Sequence, residues 1–165
     1  MAAKTGTYTL INSTTLSTAA ATVTFSSIPG TYTDLVIVIT GTVSIANNPT
    51  LQFNSDTGSN YSWTYLSGSG TAAASGRGSS QTSILTGGFG TSTIGNAIYH
   101  IQDYSNATTN KTVINRHNRS DDSVTTWVGL WRSTAAITSV ILGAGGGNWN
   151  SGSTFKLYGI EAGNL

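Results

Sequence analysis

His100 and His117 are the two histidines of the chain, and Asp103, Asp121 and Asp122 lie near them in sequence. Imidazole and carboxylate groups hold divalent metals and exchange protons near neutral pH, so a metal or acid/base site is one reading. The spacing does not support it, because neither His-Glu-x-x-His nor Asp-x-Asp-x-Asp-Gly is present. Polar strand-face residues, hydrogen-bonded at a subunit contact, are the favoured reading. A serine nucleophile needs a partner base in a setting such as Gly-x-Ser-x-Gly on a strand-to-helix turn, and Gly68-Ser69-Gly70 lacks that setting. Gly87-Gly88-Phe89-Gly90 and Gly143-Ala144-Gly145-Gly146-Gly147 do not continue as Gly-Lys-Ser/Thr and open no helix, so they read as turns and not as phosphate cradles. The expectation is a chain without catalytic residues, cofactor or metal.

Two other constellations could contact a partner. Tyr61, Trp63 and Tyr65 are spaced by two and share one face of a strand. Trp127 and Trp131 share a face opposite Val124, Thr126, Val128 and Leu130. An exposed row of rings can stack on sugars, whereas the alternative places these rings in a sandwich core or a subunit interface, where aromatics carry much of the buried area. Core or interface is favoured. Arg116, Arg119, Asp121, Asp122 and Arg132 gather most of the charge into one short region, and Arg77 stands alone in a Gly/Ser/Ala stretch. Isolated surface ion pairs are worth only about 0–1 kcal/mol. In so sparsely charged a chain the cluster reads as a contact point between subunits, with a solvated hairpin end as the alternative.

The elements that must position these residues are strands. The chain has 165 residues, enough for one domain with a core of its own. Only 8% of its residues are charged, against about a quarter in ordinary soluble domains. Ser, Thr, Gly and Asn take the places of Lys and Glu, and helix-favouring residues are scarce. β-branched and aromatic residues recur at regular intervals, which argues against disorder. Strands are expected at Thr7 to Asn12, Thr22 to Ser26 and Asp34 to Thr40, the last apolar on both faces and so expected to be covered on both sides. Leu51 to Asn54 and Tyr61 to Leu66 are expected to pair as a hairpin, as are Ala97 to Tyr104 and Lys111 to Asn118. Ser67 to Ser80 reads as a flexible Gly/Ser-rich loop. Thr82 to Leu85, Val124 to Arg132, Ile137 to Leu142 and Thr154 to Ile160 complete the set. About ten short strands with turn signals between them predict a single all-β domain over residues 1–165, a two-sheet antiparallel β-sandwich of jelly-roll type.

Composition also limits partners. A net charge of +1 offers no broad basic field for nucleic acid or an anionic membrane. No apolar run approaches the length that crosses a bilayer, and no signal segment opens the chain. No cysteine occurs, which excludes disulfides. A near-zero net charge suits a protein held in an assembly better than one that diffuses freely.

Several stretches, taken in order, resemble one family of small structural proteins of tailed phages, particularly phages of cyanobacteria. They are Phe25-Ser26-Ser27-Ile28-Pro29 with Tyr32-Thr33-Asp34-Leu35, and Phe53-Asn54-Ser55-Asp56 with Asn60-Tyr61-Ser62. Gly129-Leu130-Trp131-Arg132 and the closing Gly152-Ser153-Thr154-Phe155-Lys156-Leu157-Tyr158-Gly159-Ile160 follow. The resemblance covers nearly the whole chain. It implies a virion component with a jelly-roll-like sandwich that works as an oligomer, and it supplies no catalytic residues. Such domains serve as capsid decoration or cement proteins, or as tail, baseplate or fibre modules. With only Ala2-Ala3-Lys4 between Met1 and the first strand, a compact domain lying flat on the head shell is expected in preference to a fibre. The partners that follow are further copies of the chain, as a trimer by analogy with other decoration proteins, and the major capsid protein or another virion protein. A host glycan is the alternative partner, and neither nucleic acid nor membrane is expected.

Overall fold

The computed structural model describes residues 7–119 and 123–161. Within them the chain forms twelve strands and no helix. These are β1 (Tyr8–Thr15), β2 (Thr22–Phe25), β3 (Asp34–Gly41), β4 (Thr50–Phe53), β5 (Tyr61–Gly68) and β6 (Ala73–Gln81). They continue with β7 (Ile84–Leu85), β8 (Gly95–Ile101), β9 (Lys111–Asn118), β10 (Val124–Trp131), β11 (Val140–Gly143) and β12 (Thr154–Ile160).

All pairings are antiparallel, and the strands form two sheets, one of eight in the order β1-β12-β3-β8-β9-β10-β5-β6 and one of four in the order β2-β11-β4-β7. Setting aside β5, β6, β9 and β10 leaves β1-β12-β3-β8 facing β2-β11-β4-β7. In that reduced order the chain passes from sheet to sheet as it does in an eight-stranded jelly roll. The fold is therefore a jelly roll whose first sheet is widened by two inserted hairpins, β5–β6 and β9–β10.

Alternation explains why these segments are strands. In β9 the inward residues Lys111, Val113, Asn115 and His117 are buried while Thr112, Ile114, Arg116 and Asn118 point outward and are exposed. The core between the sheets contains Leu35, Ile37 and Ile39 from β3, Phe155 and Leu157 from β12, and Leu51, Phe53, Val140 and Leu142 from the smaller sheet. Lys111 is buried with them, its Nζ donating to Thr109 O at 2.6 Å and Thr134 O at 3.2 Å. Desolvation lowers its pKa, and the Asp103 carboxylate works in the opposite direction.

Three expectations change. β4 and β5 do not form a hairpin: β4 lies in the smaller sheet between β11 and β7, and β5 lies in the larger one between β10 and β6. The Asp56–Asn60 turn is thus an arch between sheets. Ser67 to Ser80 is not a loop, since most of it belongs to β5 and β6, which close through a tight turn in which Ser69 N donates to Ala72 O at 3.0 Å. Glycine at alternate positions makes this strand work. The Trp63 ring lies on Gly78 and the Tyr65 ring on Gly76, so closely that a Cβ at either position would come within 2.6 Å of ring carbons. The rings supply the packing that the glycines lack. Gly78→Val is expected to lift Trp63, lower stability by about 1–3 kcal/mol and accelerate amide exchange across residues 73–81. Mass-resolved hydrogen exchange would check this, and unchanged exchange there would remove the ring-on-glycine account.

The third change concerns β3. Its inner residues are fully buried as expected, but on its other side Val36 and Val38 are covered only by neighbouring side chains of the same sheet. No second layer of the described chain lies over them.

Candidate functional site

That uncovered side is the outer face of the eight-stranded sheet. The registers Leu10↔Tyr158↔Val36↔His100↔Ile114↔Val128 line up side chains across it. The adjacent row runs Lys156↔Val38↔Ile98↔Arg116↔Thr126↔Leu66. Solvent-facing positions of an antiparallel sheet are ordinarily polar, and here they are largely aliphatic or aromatic. Eight large hydrophobic side chains of the described chain are exposed, and six of them belong to this face: Tyr8, Leu10, Leu66, Ile114, Val124 and Val128. Val36, Val38 and Ile98 form the floor of a groove of about 650 Å³, with Tyr8 and Tyr158 on one side and Ile114, Arg116 and Thr126 on the other. The two tyrosine rings meet edge to face at 6.2 Å.

Among the described residues the charges of this face are almost all of one sign. Arg77, Arg116, Arg132 and Lys156 project from it or from its border, and none reaches a carboxylate among the described residues. Its carboxylate, Asp34, is engaged: Oδ2 lies 2.8 Å from His100 Nε2, and Oδ1 accepts the Asp103 backbone N–H at 2.8 Å. Arg77 and Arg132 share a second groove of about 380 Å³ with Ser62, Thr64, Ser79 and Thr112.

The sequence-derived candidates are thus redistributed. Arg116 stands in mid-sheet, Arg77 and Arg132 meet in their own groove, and Arg119 lies at the end of the sheet near Gly68, Ser69 and Val124. Asp121 and Asp122 lie outside the described residues. The charge that is clustered along the chain is therefore spread over the sheet and its end as far as the described arginines go.

The aromatic row turns inward. Tyr61 and Trp131 are in the core, stacked at 6.2 Å with 15° between their planes. Burial raises the Tyr61 hydroxyl to a pKa of about 12. Trp127 is also buried, packed against Trp63 at 5.1 Å and Tyr65 at 4.6 Å. Trp63 and Tyr65 are half-buried. Tyr61 and Trp131 thus belong to the core between the sheets, whereas Trp63, Tyr65 and Trp127 pack on one another and on the glycines of β6, with Trp63 and Tyr65 partly exposed.

The histidines do not meet. β8 and β9 pair as expected, but the pairing Ala97↔His117 and His100↔Ile114 sends His117 inward and His100 outward. His117 packs on Phe89 with ring centroids 5.0 Å apart, and Gly87 leaves the room that the imidazole fills. Among the described residues no three His, Asp or Glu side chains gather in a way that could hold a metal ion.

Individual residue types concealed the outer face in the sequence, but one signal was present. Val36-Ile37-Val38 in β3 and Ala97-Ile98-Tyr99 in β8 are apolar at both parities, which marks strands that bury one face and offer the other. Comparison of the chain with protein-family models finds no match, and comparison with curated proteins likewise finds none.

Proposed function

We propose that the chain is a structural subunit of a tailed-phage virion, a decoration or cement protein that binds the head shell as an oligomer and stiffens it. The observation that carries this reading is the outer sheet face, apolar from Tyr8 on β1 to Leu66 on β5. Seven strands at about 4.8 Å spacing make this stripe roughly 29 Å long. Exposed apolar areas of this order mark interaction surfaces in folded proteins. The resemblance of the strand and turn segments to small phage structural proteins supplies the assembly in which such a surface would be covered.

The action is mechanical. A protein that binds only the assembled shell stabilises it by its own binding free energy, and simultaneous contacts by linked subunits multiply that effect. A carbohydrate-binding role has less support, because Tyr61 and Trp131 are core residues, Trp127 is buried, and Trp63 and Tyr65 are covered in part by one another and by β6.

The deciding measurement is copy number in purified particles, by quantitative mass spectrometry against the major capsid protein. Hundreds of copies per particle are expected. A few copies to a few tens would move the chain to the tail, baseplate or fibres, and absence from particles would remove the virion reading.

A further inference from the structure

We infer that the outer face of the eight-stranded sheet docks a different protein, one whose matching surface is apolar at its centre and carries carboxylates opposite Arg77, Arg116 and Arg132. This rests on the reading of the chain as an assembly subunit, and it names the chemistry of the partner. Two features of the face lead to it. The first is extent: two adjacent rows of mainly apolar side chains run across seven strands for about 29 Å and hold a groove of about 650 Å³, and exposed apolar patches of such extent mark interaction surfaces.

The second is charge. Among the described residues the face and its border carry four cationic side chains, Arg77, Arg116, Arg132 and Lys156, and one carboxylate that His100 already engages. Two copies placed face to face would bring two sets of like charge together while stripping their water, which opposes association. Elsewhere among the described residues the remaining carboxylates stand singly. Asp56 is held by Trp131 and Asn60, Asp103 acts on Lys111, and Glu161 accepts from Thr9 at a sheet edge. None of these described carboxylates sits in an apolar patch that could complement this face, and a carboxylate-bearing partner of another kind answers its charge better than a second copy does.

The partner is therefore heterologous. Aliphatic side chains would fill the Val36–Val38–Ile98 floor, and carboxylates would pair with arginines that have no counter-charge within the described chain. Such pairing steers encounter and fixes orientation, while the apolar centre holds the complex. Oligomerisation of the chain itself then uses other surfaces.

The test uses the purified chain and a small probe that combines an apolar ring system with one negative charge, 1-anilinonaphthalene-8-sulfonate. Wild-type protein should bind it with enhanced emission, more weakly as salt rises. Ile114→Glu should weaken binding by at least about tenfold, and Arg116→Gln by roughly three- to tenfold with loss of the salt dependence. Ile114 is half exposed, at 48%, so the fold should survive, and Val128→Glu repeats the test on the neighbouring strand. Sedimentation velocity on the same samples should show an oligomeric state unchanged by these substitutions. Equal probe affinity in wild type and variants overturns the inference. Dissociation of the wild-type oligomer by Ile114→Glu also overturns it, because the face would then be covered by a second copy. Head shells assembled without the protein give the partner readout: wild type should bind and Ile114→Glu should not, and equal binding overturns the inference. Failure of wild type itself to bind shells counts against the virion reading, and the probe and sedimentation results still decide the face.

Discussion

Trp149→Ala is expected to remove about 3–5 kcal/mol of folding stability, a large part of the roughly 5–15 kcal/mol available to a domain of this kind. Trp149 has no exposed surface, although it lies in the connection between β11 and β12 and not in a strand. Its ring stands edge to face with Phe89 and Phe155, both at 5.0 Å, and its Nε1 donates to Leu142 O at 3.1 Å. Its backbone pairs with Ala20, N to O at 2.8 Å and the reverse at 3.0 Å, and it forms a further bridge to Val43. One residue thus closes the gap between the sheets at this end, joining Phe155 of the larger sheet to Leu142 of the smaller. Alanine would leave a cavity that two sheets held by their own ladders cannot collapse to fill. Urea unfolding followed by far-ultraviolet circular dichroism would read the loss as a lower midpoint with little change in slope. A midpoint within experimental error of wild type would show that the ring is not a structural plug.

Asp56→Ala is expected to cost about 2–3 kcal/mol at neutral pH and to flatten the acid limb of the stability curve. Asp56 sits in the arch between β4 and β5. Its Oδ2 accepts from Trp131 Nε1 at 2.6 Å and from Asn60 Nδ2 at 2.9 Å, and its Oδ1 accepts the Gly58 N–H at 2.8 Å. The Trp131 bond, followed by that of Asn60, holds the carboxyl below its ordinary value, and desolvation opposes them. A carboxylate depressed in the folded state contributes its stability in full above the unfolded value, about 3.9. That contribution is lost as pH falls through the lower folded value. Asp56→Asn keeps an acceptor for the indole but removes the titration. Wild type and Asp56→Asn should therefore differ most at neutral pH and converge below pH ~4. A difference that persists undiminished at pH ~3 would assign the effect to shape and not to charge.

The glycines and aromatics show how far local pattern reaches. Tyr61, Trp63 and Tyr65 share a face by parity alone, and so do Trp127 and Trp131; the structure keeps both sets together. Parity could not say which way the shared face turns. Likewise Gly76 and Gly78 look like slack in a Gly/Ser stretch, because a glycine covered by a ring from the next strand is invisible in its own segment. The β4–β5 hairpin that the Asp56–Asn60 turn predicts does not form, for a related reason. Two strands separated by a good turn pair locally only if nothing more distant competes, and β11 and β10 do compete.

The site follows the same division. Arg77 and Arg132 are far apart in sequence and share one groove, whereas Arg116 and Arg119 are near neighbours that the sheet separates. By itself the sequence determined the all-β class, the two-sheet sandwich, the β8–β9 hairpin and most strand positions. Those depend on alternation and turn chemistry, which are local and have a period of two. Only the tertiary structure decided which strands are neighbours, that the first sheet grows to eight strands, and that its outer side is left apolar and cationic. Those outcomes depend on hydrogen-bonded partners many residues away, and no local period carries that information.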